Sequence, residues 1–520
     1  MKRKYSTILL IFFTLTITLT AQEKIDYQMM QRIRQEGLQN SKIMELMSYL
    51  CDIYAPRLAA SPQYREAGKW AVTKLTEIGL EKAKMESMGT LGRGWELKKF
   101  YGAMTSPQYM PLIAFPKAWT PGVEGVIKGN AVLMDVKTEA DLDTYKGKLK
   151  GAIVLSRGEQ PVTLSMEADG KRYTDEALNK MKMASEGGGR NFDPAQIQAM
   201  RTQRELQQKV AKFLKDEGAA VILEPSRGTD GTIFVQSGGS YRMNSEMPLP
   251  SVVVSVEQYN RLVRIAEKKI PVALEMEIEA NFVDTDSLGY NIIAEIPGTD
   301  KNIKDEVVML GGHFDTWHAG TGATDNSSGT AVAMEAVRIL KALNIKPKRT
   351  IRIALWDAEE VGLIGSRNYV KNHFFDADKK EIKPDYDKLT AYFNYDNGSG
   401  KIRGIYAQGN LAVVSIFEEW LKPFNDLGAA TVTLRNTGST DHAAFDAVGL
   451  PGFQFIQDEL EYSSRTHHSN MDVFDNASIP DLMQSATIMA AFVYNAAMRD
   501  QKLPRKYFDP NAVPQRRRQF

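Results

Sequence analysis

The stretch from Val307 to Asp325 constrains this chain more than any other. Four apolar residues, three of them aliphatic (Val307, Val308 and Leu310), run into Gly311–Gly312, and His313 and Asp315 follow at once. An apolar run closed by a glycine pair predicts a buried strand ending in a tight turn. Asp325 comes next, inside a Gly/Ala/Thr loop, and NSSGTAVAMEAVRILKAL after it predicts an amphipathic helix opened by polar capping residues. Two further strands are predicted to end in the same way. Thr350–Trp356 leads to Asp357, Glu359 and Glu360, and Leu389–Tyr395 leads to Asp396. In open α/β sheets ligands collect at the carboxyl ends of strands. Three such ends would bring one histidine and several carboxylates to one rim, which is a metal site in outline.

At 520 residues the chain is too long for one ordinary core, so two domains or one interrupted domain is expected. Hydrophobic residues at 43% and charged residues at 25% are those of a soluble globular protein. A formal charge of +1 gives no argument for nucleic acid as a partner, and the Arg516–Arg518 triplet reads as a solvated tail. The opening is different in kind. MKRKY is a basic start, and Ser6–Ala21 is an apolar, threonine-rich run closing on LTA. Such a run is short for a bilayer and reads as a cleaved signal peptide over residues 1–21, with export to periplasm or medium and no stable membrane insertion afterwards. The only cysteine, Cys51, cannot form an intramolecular disulfide and reads as a small buried hydrophobe between Leu50 and Ile53.

Residues 26–80 are helical by pattern, with Pro56 as a breaker, and SPQYREAGKWAVTKLTEIGL opens on a serine–proline cap and closes on Gly79. Residues 82–120 carry short strand-like pieces. From 121 to 280 the strands are punctuated by Gly and Pro and contain no histidine, which predicts a separate β-rich module. A charged helical insertion near 173–215, broken by Gly187–Gly189, interrupts it, and its charges read as a solvated face. Segments 22–120 and 281–500 would then form the main domain, closed by a helix over Ser478–Arg499, with a poorly ordered tail over 501–520.

All six histidines fall between His313 and His468. A dinuclear zinc hydrolase needs about five protein ligands, with one carboxylate bridging the metals, and a carboxylate outside that set to take a proton from the metal-bound water. The candidates are His313, Asp325, Glu360, Asp396 and one of His467 or His468, with Glu359 as base. Two dications, three carboxylates and one hydroxide sum to about zero, so such a site tolerates a partly dry cleft. Asp315 is spaced to accept the other imidazole N–H of His313. His318 and His373 read as structural, and His442 borders the expected pocket.

The segments GGHFDTW, GATDNSSG, WDAEEVGLIGS, FNYDNGSG, STDHAAFDAVGLPG and RTHHSNMDVFD together resemble the secreted dizinc aminopeptidases that carry a protease-associated domain. They cover residues 311–475 in the family's order, and APRLAASPQY and the inserted module also fit. The resemblance implies an α/β zinc-exopeptidase fold, a mixed sheet flanked by helices with the protease-associated domain at 121–280, and two Zn²⁺ per chain. It makes Asp325 the bridge, His313 and Asp396 the ligands of one zinc, Glu360 and His468 those of the other, and Glu359 the general base. His468 is preferred to His467 because it keeps the family's H-[ST]-x-x-D spacing, and His467 falls where an oxyanion would be stabilised. The Asp325–Asn326 bond falls where the family often has a cis peptide.

The implied activity is hydrolysis of the terminal peptide bond of peptides, as an aminopeptidase. The alternatives are a carboxypeptidase or dipeptidase of the carboxypeptidase Q type and a related one-zinc glutaminyl cyclase. More remote is a non-catalytic binding protein of the transferrin-receptor type. Retention of His313 and Asp396 argues against the cyclase, and retention of all six residues argues against the binding protein.

Overall fold

The computed structural model describes residues 23–185 and 193–512; the expected signal over 1–21, the Gly187–Gly189 break and the Arg516–Arg518 triplet lie outside them. Two eight-stranded sheets organise the described residues. The first runs Glu81–Thr90, Leu288–Ile296, Thr350–Trp356, Val307–His313, Leu389–Asn394, Gly452–Gln457, Ile402–Tyr406, Thr431–Thr433. Its four middle strands, from Thr350–Trp356 to Gly452–Gln457, are parallel, and the antiparallel pairs lie outside them. The register aligns the strand ends. His313 stands opposite Trp356, and Gly311 opposite Asn394, so the residues after each strand emerge at one rim.

Every residue of Val307–His313 is buried. The strand does not turn at the glycine pair, as the sequence led us to expect, but runs straight through it to His313. A Cβ at Gly311 would lie 1.8 Å from the Ala354 carbonyl oxygen, and one at Gly312 would lie 2.8 Å from that of Tyr395. Close approach of neighbouring backbone, not a turn, demands glycine here. The helix after Asp325, Ser328–Ala342, is also more deeply buried than an amphipathic pattern requires, because Tyr27–Gln39, Ile43–Ser48 and Ile479–Met498 pack against it. A helix apolar nearly all round is one with neighbours on every side. Helix Pro62–Ile78 follows its sequence signals closely: the Ser61 hydroxyl accepts from Tyr64 N, and Gly79 ends it in the left-handed region. Cys51 is buried and unpaired.

The second sheet runs Met110–Pro111, Gly94–Ser106, Ala273–Val283, Val126–Leu133, Ile153–Leu155, Val221–Pro225, Ser251–Val254, Ala114–Pro116. It is wider than the module expected over 121–280. Gly94–Ser106 pairs with Ala273–Val283 along its length, so strands from 94 onward belong to this sheet. The chain enters and leaves side by side, with Thr90 opposite Leu288 and Leu91 N donating to Ser287 O at 2.8 Å.

The two parts meet more widely than a cleft edge. Helix Asp175–Lys182, expected to be solvated, turns Leu178 and Met181 onto Ile456 of the first sheet. Its other side chains keep their charges in water, so the pattern misleads only on one face. Just before it, Lys171 pairs with Leu460, and Arg172 reaches Asp458 at 2.9 Å and Asp481 at 2.7 Å. The expected loose tail is docked as far as residue 512: Leu503 is buried, Arg505 donates to the Tyr386 and Leu389 carbonyls, and Phe508 packs edge-on against Phe375. Among the described residues no helix is long and apolar enough to cross a membrane.

Candidate metal centre

His313 ends the central strand with its side chain 1% exposed. Its Nε2 faces Asp325 Oδ1 at 3.2 Å and Asp396 Oδ1 at 3.3 Å. On the far side of Asp325, Oδ2 lies 3.1 Å from His468 Nε2, which is also 2.9 Å from Glu360 Oε2. Asp325 thus turns one oxygen to each histidine. His467 Nε2 stands farther off, 3.7 Å from Asp325 Oδ2, with its ring against those of Tyr462 and His468. Glu359 Oε2 is 4.0 Å from His313 Nε2. All seven residues gather at the strand ends, from buried His313 to His467, whose side chain is 36% exposed, and the Asp325–Asn326 peptide bond is cis.

The support of His313 differs in one respect from the sequence expectation. Its Nδ1 meets the main-chain carbonyl of Asp315 at 2.9 Å, while the Asp315 carboxylate is 3.6 Å away. That carboxylate is used elsewhere: it accepts from Glu359 N at 3.0 Å and Glu360 N at 3.3 Å. A donor to a carbonyl must carry its proton on Nδ1, which leaves the Nε2 lone pair free for a metal. Asp315 therefore fixes the imidazole with its backbone and the two glutamates with its side chain.

Three supports were not legible as such. The Asp472 carboxylate accepts from Thr324 N at 2.6 Å, Thr324 Oγ1 at 2.8 Å and Asp325 N at 3.2 Å, and so holds the loop that presents Asp325. Its place in the H-[ST]-x-x-D spacing was the only signal. Arg57, fully buried, donates to Leu50 O, Phe314 O and Ser327 Oγ, each at 2.7 Å, and stacks over Phe314. Gln236, from the segment 231–238, places its amide 2.8 Å from His468 Nδ1. The remaining histidines are structural in their contacts: His318 meets Pro116 O, His373 meets Glu86, and His442 meets Thr437 O.

Electrostatics show what the pocket lacks. Burial foremost, and then Asp325, pushes Glu360 up to about 8. Burial also lifts Glu359 well above the carboxylate range, with Asp396, Asp441 and Glu360 adding to it and His313 opposing. Burial works to lower His468, but Glu360 and Asp325 overcome it and raise it to about 10. Buried carboxylates outnumber the cations that could balance them. Glu360 Oε1 and Asp325 Oδ2 are buried without hydrogen bonds; the His468 nitrogen approaches Oδ2 as two ligand atoms approach across a shared ion. His313, Asp325 and Glu360 offer ligand atoms all within 4.8 Å of one another, as do Asp325, His467 and His468. Imidazole and carboxylate donors in this mixture suit zinc. The residues fit a metal.

An α/β sheet whose parallel strand ends gather imidazoles and carboxylates in an under-neutralised pocket is the framework of a metal-dependent hydrolase. Residues 291–493 match the model of Peptidase family M28. Carboxypeptidase Q of Mus musculus is 25% identical over 473 residues, which are 90% of this chain and 88% of that protein. Aminopeptidase YwaD of Bacillus subtilis (strain 168) is 28% identical over 206 residues, 39% of this chain and 44% of the relative. A peptidase M28 precursor from Shewanella amazonensis SB2B shares the fold with TM-score 0.65 at 23% identity, over 93% of this chain and 99% of that one. The zinc aminopeptidase BSAP of Bacillus subtilis does so with TM-score 0.55 at 18% identity, over 88% and 95%. These findings support a metallopeptidase, with residues 291–493 forming its M28-type zinc-exopeptidase region.

Proposed function

We propose that this chain is a dizinc exopeptidase that removes terminal residues from peptides, acting as an aminopeptidase. Asp325 would bridge the two ions, with His313 and Asp396 as the residues to hold one and Glu360 and His468 the other. What carries the reading is the Asp325 carboxylate, whose two oxygens face different histidines at 3.2 and 3.1 Å. Bound zinc would supply Lewis acidity toward the scissile carbonyl and acidify a water. Glu359 supplies the proton transfer: it takes a proton from the attacking water and returns it to the leaving nitrogen. Its burial at the edge of the cluster, 4.0 Å from His313 Nε2, suits a group that reaches the reacting atoms without joining the closest ligands. Paired amides donating to Asp315 hold Glu359 and Glu360 on one short turn, so that neighbours in sequence serve different roles. His467, partly exposed and braced by Tyr462, suits stabilisation of the oxyanion.

A second reading is a carboxypeptidase or dipeptidase of the carboxypeptidase Q type. The relative of that name aligns over 88% of its length. In addition, the Arg227 guanidinium stacks over Phe234 at 4.3 Å, and Phe234 bridges to Ser469 beside His468. Arg227 pairs with no carboxylate among the described residues, and a free guanidinium near the cleft suits a substrate's terminal carboxylate. We also read the second sheet as a protease-associated domain inserted in the peptidase, supported by its β-rich build and adjacent entry and exit. Export is supported by the basic and apolar start of the sequence.

The test is a panel of aminoacyl fluorogenic amides, free dipeptides and amino-blocked dipeptides, on zinc-loaded and chelated protein. Zinc-dependent release from the aminoacyl amides is the expected result. Turnover confined to substrates with a free carboxylate would move the assignment to the second reading. Zinc stoichiometry below two per active chain would overturn the dinuclear site, and turnover untouched by chelation would overturn the metal chemistry altogether.

A further inference from the structure

The two imidazoles assigned to metal are held by different parts of the molecule. His313 is fixed within its own strand end, by the Asp315 carbonyl. His468 sits in the left-handed region, with φ +62°, on a loop after the short turn Tyr462–Thr466. A non-glycine residue there needs outside support. The support comes from residues 231–236, which belong to neither sheet and lie along the loop as an antiparallel splint, with Phe234 opposite Ser469. Val235 N donates to His468 O at 3.0 Å, and Asn470 N donates to Ile233 O at 3.1 Å. The Asn470 side chain accepts from Ile233 N at 2.7 Å and donates to Gly231 O at 3.2 Å. The Gln236 amide then reaches the ring itself, at His468 Nδ1.

Gln236 is chemically distinct from the carbonyl that serves His313. A carbonyl only accepts, so it fixes one tautomer; a primary amide donates or accepts by turning over. With its nitrogen toward Nδ1, Gln236 supports the tautomer whose Nε2–H faces Glu360. With its oxygen there, it supports the tautomer whose Nε2 lone pair faces a metal. Gln236 can therefore serve His468 in either tautomer, whereas the Asp315 carbonyl serves the ligating tautomer of His313 alone.

We propose that Gln236 is a positioning residue for His468, so that the inserted module forms part of the metal centre and sets zinc affinity in the Glu360–His468 half only. This rests on the dizinc reading above. The experiment is competition of full-length protein with a chromogenic zinc chelator, resolving the two affinities, on the wild type and on Gln236→Ala and Gln236→Glu. Removing the outer partner of a metal-bound histidine typically weakens metal binding about 10–100-fold, and for an amide exposed at the cleft rim the lower end applies. Gln236→Ala should lose about 10-fold at one zinc and leave the other unchanged, which also reports that the chain is folded. Gln236→Glu, a pure acceptor, should hold that zinc at least as tightly as the wild type. A Gln236→Ala protein with both affinities unchanged, or both weakened equally, overturns the proposal, and so does a Gln236→Glu protein as weak as the alanine variant. A wild type that binds fewer than two zinc ions overturns the dizinc reading instead.

Discussion

The two halves of the centre share one carboxylate and little else. Besides the shared Asp325, the close partners of the His313 ring come from strand ends of the main sheet: Asp396, just after the neighbouring strand, and the carbonyl two residues on. Its side chain is 1% exposed. Around His468 the partners come from a loop, a turn after Trp356 and a segment of the inserted module, and its side chain is 16% exposed. A half built into a sheet has its geometry set by register, and slipping that register would invert every buried side chain. A half built on loops is set by a few hydrogen bonds and opens at lower cost. The two imidazoles are therefore mounted one on a rigid element and one on an adjustable one.

The largest effect tests what the halves share. On the proposed dizinc reading Asp325→Ala removes the one ligand common to both positions, so zinc content should fall at both and activity to background. Retention of one tightly held zinc would mean that the halves are independent and that Asp325 is no bridge. Next comes the separation of adjacent glutamates. Glu359→Gln should lower kcat about 10²–10⁴-fold, roughly 3–5 kcal/mol in the barrier, while zinc content stays at the wild-type value. Glu360→Gln should instead release zinc from the His468 half, since an amide oxygen is a poorer donor to a dication. Turnover measured beside metal content separates them, and an active Glu359→Gln protein would show that Glu359 is not the base.

A smaller effect reads the asymmetry directly. His468→Ala should leave one zinc bound, and His313→Ala should disturb both, because the shared Asp325 loses its partner at the buried end. Chelator release from the wild type should be biphasic, with the exposed half leaving first. A single phase would erase the distinction drawn between sheet and loop.

This contrast also explains what was legible in the sequence. The ends of strands Val307–His313, Thr350–Trp356 and Leu389–Asn394 could be read because each ligand follows its own apolar run within a few residues. Local pattern suffices there. The same pattern misled at Gly311–Gly312, where the demand comes from the Ala354 and Tyr395 carbonyls on neighbouring strands, which no local window contains. It placed the second sheet's start too late, because Gly94–Ser106 reads only as strand-like and its partner lies far off at Ala273–Val283. Gln236 lies 232 residues from His468, in a stretch that reads as an ordinary strand piece. The docked residues 503–508 failed for the same reason, since Phe508 finds Phe375 and Tyr386 far upstream. Periodicity tells which face is apolar, not which partner covers it.

The smallest expected effect asks whether the module acts on His468 through the 231–236 splint or merely by being docked. Arg172 tethers the module elsewhere, at Asp458 and Asp481. Its side chain is 47% exposed, and Asp458 keeps other partners, accepting from Tyr173 N at 2.9 Å and Arg403 Nη1 at 3.0 Å. Arg172 is half in water, but Asp458 at 0% and Asp481 at 12% are not; with Asp458 still hydrogen-bonded, the loss should cost on the order of 1 kcal/mol. Arg172→Ala should therefore lower the urea midpoint slightly while both chelator-release phases keep their wild-type rates within about 2-fold, the size of effect a fraction of a kcal/mol produces. Leu178 and Met181 remain against Ile456 in that variant, so the module stays seated. If Arg172→Ala instead speeds release from the exposed half as much as Gln236→Ala does, docking as a whole governs the loop. The adjustable half would then answer to the entire interface between the two sheets, and not to one amide at its rim.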